Sequence, residues 1–290
     1  MTAPAGTLPG SAAADPGAFR AQSVLPPTPD TDPARIGLTF EPFTWAHLVT
    51  AACCILTIVL VCHLGRRLAC RQGVPPGAAD PAGQMVGLLG LLHWGIYQVW
   101  WNVPPRFGIE RAIPLQLCDL AGVVGGLALL SGSRFLTTTI YFWGVVLSTQ
   151  AFITPIIKEG PALTRFWLFW ESHTFIVGAA AYVVWVRGYR PRARDLGVGV
   201  LMTVAYAALV FPLNLALGTN FGYIGRPNPD PGARRTLVDA LGPWPWRVLP
   251  LTALAMLAHL LAYVPWLIAE RCAPSADEAG GARPPTPRGQ

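Results

Sequence analysis

Charged residues are scarce in this sequence of 290 residues. Asp, Glu, Lys and Arg together make up 12% of it, and lysine occurs once, at Lys158. A globular soluble domain has a charged fraction of about 25%. The shortage of charge, with an apolar fraction of 52%, excludes a soluble enzyme and a disordered chain. The arginines are in loops between apolar runs, so a nucleic-acid partner is not expected.

Paired cysteines are missing as well. Three of the six cysteines lie in one apolar run (Cys53, Cys54 and Cys62), Cys118 lies in another, and the sequence has no Cys-x-x-Cys pair. No group of Cys and His residues has the spacing of metal ligands. We therefore expect no disulfide framework, no metal and no cofactor.

Long apolar runs dominate the rest of the chain. A membrane-spanning helix needs about 20 apolar residues, and seven runs come close to or exceed that length. They lie at about 45–64, 84–103, 113–130, 135–157, 166–186, 196–218 and 248–269. This pattern predicts an all-α, multi-pass transmembrane helical bundle of about seven spans. Gly122, Gly125 and Gly126 in the third run predict close helix–helix approach.

The two ends of the chain differ from the middle. Residues 1–43 are rich in Ala and Pro and have little periodicity, and 272–290 are similar. Such segments bury too little apolar area to offset the entropy of ordering. We expect disordered tails around a transmembrane domain of residues 44–271. Arginine-rich loops after the first and fifth runs predict a multi-pass protein of the cell membrane with its N-terminus outside and its C-terminus in the cytoplasm.

Two acidic residues lie well inside these runs, Asp119 and Glu171. Each costs about 2.5–3.5 kcal/mol at the centre of a bilayer, so embedded acids indicate a functional site. The predicted topology puts other polar residues at the same depth, near the outer ends of the helices: Asn102, Gln116, Cys118, Thr154, His173 and Asn214. Seven tryptophans lie near this end, as an interfacial belt or a pocket lining: Trp45, Trp100, Trp101, Trp167, Trp170, Trp244 and Trp246.

Helical phase separates some of these residues. Glu171 and His173 are 200° apart, so one straight helix cannot direct both at one point. One of them faces the pocket and the other a neighbouring helix, or Glu171 pairs with another group such as Arg165. Pro114 suits the first position of the third helix, which would place Cys118 just beyond the first turn. We expect His93 and His259 to bridge helices by hydrogen bonds.

Two motifs carry a family resemblance. Pro114-Leu115-Gln116-Leu117-Cys118-Asp119 in a span and Leu241-Gly242-Pro243-Trp244-Pro245-Trp246 before the last one resemble the YwaF family of bacterial integral membrane proteins. The intervening Gly-Thr-Asn…Arg-Pro loop also matches, and the resemblance covers most of 45–269. A distant eukaryotic relative is transmembrane protein 164, which is associated with fatty-acyl transfer to lysophospholipids through a cysteine.

That resemblance implies a lipid acyltransferase. Cys118 would accept the acyl group and His173 would act as the base, with Asp119 beside them. A membrane phospholipid would be the substrate partner. The candidate binding residues, among them donors that would polarise the ester carbonyl, are Gln116, Asn102, Glu171, Asn214, Asn220 and Arg226.

Two other functions remain open on the residues alone. Asp119 and Glu171 are also the residues that a proton-coupled or small-solute transporter would use. Alternatively, the polar residues only specify helix packing in a membrane scaffold. Cys118 by its spacing alone is more typical of an inert buried cysteine.

Overall fold

The computed structural model describes residues 39–227 and 236–272. Over these ranges the chain is helical, and its β-structure is limited to an isolated bridge between Thr39 and Glu159. The helices are α1 (Trp45–Arg71), α2 (Pro81–Asn102), α3 (Ile109–Ala112), α4 (Leu117–Ser131), α5 (Arg134–Phe142), α6 (Gln150–Ile153), α7 (Thr164–Trp185), α8 (Ala193–Leu217) and α9 (Val248–Cys272). A π-helical segment, Trp143–Ser148, joins α5 to α6, and short 3₁₀ turns lie at Phe221–Tyr223 and Leu237–Leu241.

Five helical segments are long and apolar enough to cross a membrane. They are Trp45–Arg71, Ile109–Ser131, Arg134–Ile153, Ala193–Leu217 and Val248–Arg271. The chain is therefore a polytopic, all-α membrane protein. The helices α2 and α7 occupy the second and fifth predicted runs, but neither is among these five. The reason is their polar content, such as Gln84 and His93 in α2 and Arg165 and Glu171 in α7.

The helix boundaries follow ordinary capping chemistry. The side chain of Asp80 accepts a hydrogen bond from Gly83 N at 2.7 Å, and Pro81 follows it as the first helical residue of α2. Helices α4 and α8 end at Gly132 and Gly218, whose φ angles are 67° and 68°. Glycine adopts this left-handed conformation without steric cost, so it ends a helix cleanly.

Helix α4 lies at the centre, in contact with α2, α5 and α7. A Cβ atom on Gly87 would lie 2.8 Å from Gly126 O, and one on Gly126 would lie 2.5 Å from Leu91 Cγ. A Cβ atom on Gly125 would lie 3.2 Å from Ile140 Cδ1, whereas one on Gly122 would lie 3.6 Å from Trp94 Cδ1, an ordinary van der Waals distance. The predicted close approach is confirmed at Gly125 and Gly126, but Gly122 does not require it.

A buried ion pair joins three helices at the end where α1 finishes. Arg187 Nε donates to Asp80 Oδ2 at 3.1 Å, and Tyr182 donates its hydroxyl to Asp80 Oδ1 at 2.5 Å. The Arg187 guanidinium also donates to the carbonyls of Ala128 and Leu129, at 2.9 and 2.5 Å. These contacts fix the start of α2 against the ends of α4 and α7.

Ordered packing begins before the predicted domain boundary at residue 44. Phe40 is 1% exposed and packs edge-on against Phe166 and Trp170. Its backbone N–H donates to Lys158 O at 2.8 Å. The buried Phe40 therefore belongs to the bundle, because its ring fills space beside α7. The predicted tails otherwise fall on 1–38 and 273–290, which lie outside the described residues.

Candidate functional site

Helices α2, α4 and α7 enclose a cavity of about 40 Å³, called the α4 cavity below. A water needs roughly 10–15 Å³ of such space, so the α4 cavity holds only a few waters. Cys118, Asp119 and His173 all line it. His173 is far from Cys118 and Asp119 in sequence, and the fold brings the three residues to one small space.

His173 is 8% exposed and its orientation is fixed by its own helix. Its Nδ1 lies 2.7 Å from Phe169 O, and its ring centroid lies 4.3 Å from that of Phe169. A carbonyl only accepts hydrogen bonds, so Nδ1 carries the proton of the neutral ring and Nε2 carries a lone pair. Among the described residues Nε2 has no hydrogen-bond partner, which leaves it free to act as a base in the α4 cavity.

Cys118 and Asp119 lie in the first turn of α4. This helix begins at Leu117 with Gln116 as its N-cap, so the prediction that Pro114 starts the helix is wrong. The backbone is not yet helical at Leu115, whose carbonyl oxygen accepts a hydrogen bond from the Tyr206 hydroxyl at 2.9 Å. Cys118 is thus closer to the helix N-terminus than predicted. Unpaired N–H groups there stabilise negative charge within the first turn.

Glu171 points away from the α4 cavity, as the helical phase required. It contacts His93 on α2, with Nδ1 3.4 Å from Oε2, and His93 Nε2 lies 3.0 Å from Ser172 Oγ. The proposed Arg165 partner is wrong, because Arg165 pairs with Glu159. Burial acts to raise the pKa of Glu159, but the Arg165 charge and the hydrogen bonds to the carboxylate together outweigh burial, so the pKa lies below its ordinary value. Asp119 and Glu171 therefore do not share one chamber.

The predicted bridging role of the two mid-span histidines is confirmed. His93 connects α2 to α7 through these contacts. His259 is fully buried, and its Nε2 lies 3.1 Å from Thr203 Oγ1, which connects α9 to α8. Its Nδ1 lies 2.7 Å from Ala255 O.

Two predicted carbonyl-polarising residues do not line the α4 cavity. Gln116 Oε1 accepts from Gly222 N at 3.1 Å, which ties the start of α4 to the loop after α8. Asn102 is exposed, and its Nδ2 donates to Gln98 O at 2.8 Å and to Ala112 O at 3.4 Å. Both amides therefore connect backbone segments at the rim of the bundle.

The remaining candidates belong to the loop after α8. Asn214 is 2% exposed, and its Oδ1 accepts from Phe221 N at 2.8 Å while its Nδ2 donates to Phe221 O at 2.9 Å. Asn220 donates its backbone N–H to Glu110 Oε1 at 3.1 Å. Arg226 stacks over the Trp244 ring at 5.2 Å. These residues stabilise the loop, whose continuation at residues 228 and 229 lies outside the described ranges.

The tryptophans at this end divide between the two predicted roles. Trp45, Trp167 and Trp246 are at least half exposed, as in an interfacial belt. Trp101 and Trp170 are almost fully buried. Neither a belt nor a pocket lining describes the whole set.

Sequence reasoning missed several residues of the α4 cavity. The most informative are three on α2 and one on α7: His93, Trp94, Tyr97 and Ser172. The Nε1 of Trp94 is buried without a hydrogen-bond partner in the described part of the chain. The i, i+4 spacing of His93 and Tyr97 puts them on one helical face, which is the sequence signal that could have found them.

Comparisons with known proteins identify the family. No curated protein and no solved structure matches the chain. The model of the TMEM164 family matches residues 42–263, which include the α4 cavity and the loop after α8. Since this match covers well over half of the sequence, the chain belongs to the TMEM164 family.

Proposed function

We propose that this protein is a membrane acyltransferase in which Cys118 accepts an acyl group from a phospholipid and His173 is the base. The observation that carries the proposal is that both residues line the α4 cavity, with the Nε2 lone pair of His173 unpaired. A cysteine nucleophile needs a nearby base to remove its proton. The position of Cys118 in the first turn of α4 adds the partial positive charge of a helix N-terminus, which favours the thiolate.

The proposed reaction is a transthioesterification followed by its reverse on a new acceptor. His173 Nε2 takes the Cys118 proton while the sulfur attacks the ester carbonyl. The C–S bond forms, the ester C–O bond breaks, and the proton passes to the departing hydroxyl of the lysophospholipid. In the second half, His173 removes a proton from the hydroxyl of a second lysophospholipid. That oxygen forms the new ester C–O bond, the thioester C–S bond breaks, and the proton returns to the Cys118 sulfur.

Trp94 replaces Gln116 and Asn102 as the proposed donor to the ester carbonyl. Its indole Nε1 is a buried donor without a partner among the described residues, and its side chain lines the α4 cavity. A donor already in place stabilises the negative charge that develops on the carbonyl oxygen. Asp119, next to Cys118 in the same lining, is proposed to interact with the imidazolium that forms on His173.

The test uses the purified full-length chain in phospholipid vesicles that carry a radiolabelled acyl chain. The wild-type protein should form a covalent acyl adduct that hydroxylamine releases, and Cys118→Ser should form none. Cys62→Ser is the matched control, because Cys62 is buried elsewhere, beside α7, and does not line the α4 cavity. Normal acyl transfer by Cys118→Ser would overturn the mechanism. His173→Gln should slow adduct formation by roughly 10²–10⁴-fold, the usual contribution of a general base.

We further propose that α2 and α7 cross the membrane, which gives seven spans. They pack lengthwise against spans α1 and α4, and each is 22 residues long, sufficient for a hydrocarbon core of about 30 Å. With seven spans, the N-terminus and the end of the bundle that contains Cys118 face the outer side of the cell membrane. The arginine-rich loops favour this orientation. We also propose, from the YwaF-like motifs, that the chain belongs to a bacterial branch of the family. Cysteine accessibility from each side tests the topology.

A further inference from the structure

A groove much larger than the α4 cavity lies between α1 and α7. Its volume is about 670 Å³, and on α1 its lining extends from Ala46 to Val61. That distance is about 22 Å along the axis at about 1.5 Å per residue. Its walls are mainly apolar. Gly178 on α7 has no side chain to fill the groove beside Ile58, where an added Cβ would lie 3.4 Å from Ile58 Cγ1.

The shape and chemistry of this α1–α7 groove fit one hydrocarbon chain of a membrane amphiphile. The groove lies along a membrane span, and its volume falls within the ~300–1,000 Å³ of ordinary ligand sites. Trp170 also lines it, and this residue is 2% exposed with an indole Nε1 that has no partner among the described residues. A chain attached to an ester supplies the acceptor oxygen that this donor lacks.

Side chains of α2 and α7 separate the groove from the α4 cavity. Phe175 lines both spaces. Its ring lies directly on the backbone of Gly90, where an added Cβ would be 2.0 Å from Phe175 Cζ. Beside it, Glu171 on the groove side contacts His93 on the cavity side. The partition thus consists of one movable ring and one side-chain contact.

The α4 cavity cannot hold a phospholipid, because it has space for only a few waters. We infer that the α1–α7 groove binds the acyl chain of a bilayer lipid and that the chain's ester end reaches Cys118 sideways, past the ring of Phe175. This inference rests on the proposed function for the chemistry at Cys118. The entry route itself depends only on the groove, the partition and the position of the thiol.

The route is tested by the reaction rate of Cys118 with two thiol reagents. The full-length chain is placed in lipid nanodiscs with its other five cysteines changed to serine. The first reagent is N-dodecylmaleimide, which partitions into the bilayer, and the second is a charged sulfonatoethyl methanethiosulfonate. Phe175→Ala should raise the dodecylmaleimide rate about tenfold, equivalent to a barrier lowered by about 1.4 kcal/mol. The rate with the charged reagent should not change.

Two further variants separate the route from general loosening of the bundle. Phe166→Ala is the matched control, since Phe166 lines the groove but not the α4 cavity, and it should not change either rate. Thr57→Trp fills the groove from α1 and should slow dodecylmaleimide in both the parent and the Phe175→Ala background. If Phe175→Ala does not fold, as judged by gel filtration and thermal unfolding, Phe175→Leu carries the same prediction with a smaller increase.

Three results would overturn the inference: equal acceleration of the charged reagent by Phe175→Ala, no acceleration of either reagent, or no slowing by Thr57→Trp. Thiol labelling requires no acyltransferase activity. A protein that labels as expected but forms no acyl adduct would therefore refute the proposed function and leave the entry route intact. A protein that forms the acyl adduct but does not label as expected would refute only the entry route.

Discussion

His93 Nδ1 lies 3.4 Å from a carboxylate oxygen of Glu171, while its Nε2 lies 3.0 Å from Ser172 Oγ. The Ser172 hydroxyl donates its single hydrogen to Leu168 O at 2.7 Å. His93 Nε2–H must therefore be the donor to Ser172. His93 Nδ1 is thus the ring nitrogen that faces the Glu171 carboxylate across α2 and α7.

This arrangement makes glutamine a close substitute for Glu171. In Glu171→Gln the side-chain amide N–H can donate to His93 Nδ1, so the free energy of unfolding should change by less than about 0.5 kcal/mol. Glu171→Leu has no donor and should lose about 0.6 kcal/mol more, the average for a hydrogen bond between membrane helices. Unfolding in mixed micelles measures both. In a His93→Leu background the two variants should be equally stable, and a persisting difference would contradict the contact.

The sequence was sufficient to predict the membrane class, and the family resemblance grouped Cys118, Asp119 and His173, which line one cavity in the structure. Helical phase also separated Glu171 from His173, because a rigid 100° rotation per residue holds inside a long helix. Helical phase could not identify the residue that contacts Glu171. Arg165 is on the same helix, whereas the residue in contact, His93, comes from α2, and a single sequence does not reveal which helices touch.

The start of α4 shows a second limit. Proline is compatible with a first helical position, so Pro114 was a reasonable start by local chemistry. In the structure, Gln116 and Leu115 make hydrogen bonds to distant segments, with Gly222 and Tyr206. Those tertiary contacts keep the segment out of the helix until Leu117. Local propensity is outweighed here by partners over 90 residues away in sequence.

The close approach of α2 and α4 should not tolerate a methyl group at Gly87. A Cβ there would lie 2.8 Å from the backbone oxygen of Gly126, which cannot rotate away. Gly87→Ala should lower the free energy of unfolding by about 1–3 kcal/mol, the usual cost of overpacking. Gly95→Ala is the matched control on the same helix, because nothing lies within 4 Å of its added Cβ. It should be neutral or gain up to about 1 kcal/mol, and equal losses in both variants would exclude the steric explanation.

The buried pair of Asp80 and Arg187 should be sensitive to the loss of one partner. Asp80→Leu leaves the Arg187 guanidinium buried at 3% side-chain exposure without its carboxylate, and breaking such a pair costs about 3–5 kcal/mol. The double variant Asp80→Leu/Arg187→Met should recover part of this loss, because neither charge is left unpaired. Arg190→Ala, an exposed arginine of the same loop, should cost less than about 0.5 kcal/mol. Unfolding by SDS titration distinguishes these outcomes.

Asn214 provides the test of whether the loop after α8 is held by structure or by a ligand. Its side chain satisfies both backbone groups of the fully buried Phe221, at 2.8 and 2.9 Å, and accepts from Thr219 Oγ1 at 2.9 Å. Asn214→Ala leaves these groups without hydrogen-bond partners and should lower the free energy of unfolding by about 1–3 kcal/mol. Amide hydrogen exchange at residues 219–225 should become faster. The exposed Asn102→Ala should leave that exchange unchanged. If Asn214→Ala abolished acyl transfer while exchange in the loop stayed at the wild-type rate, Asn214 would be a binding residue rather than the anchor of the loop.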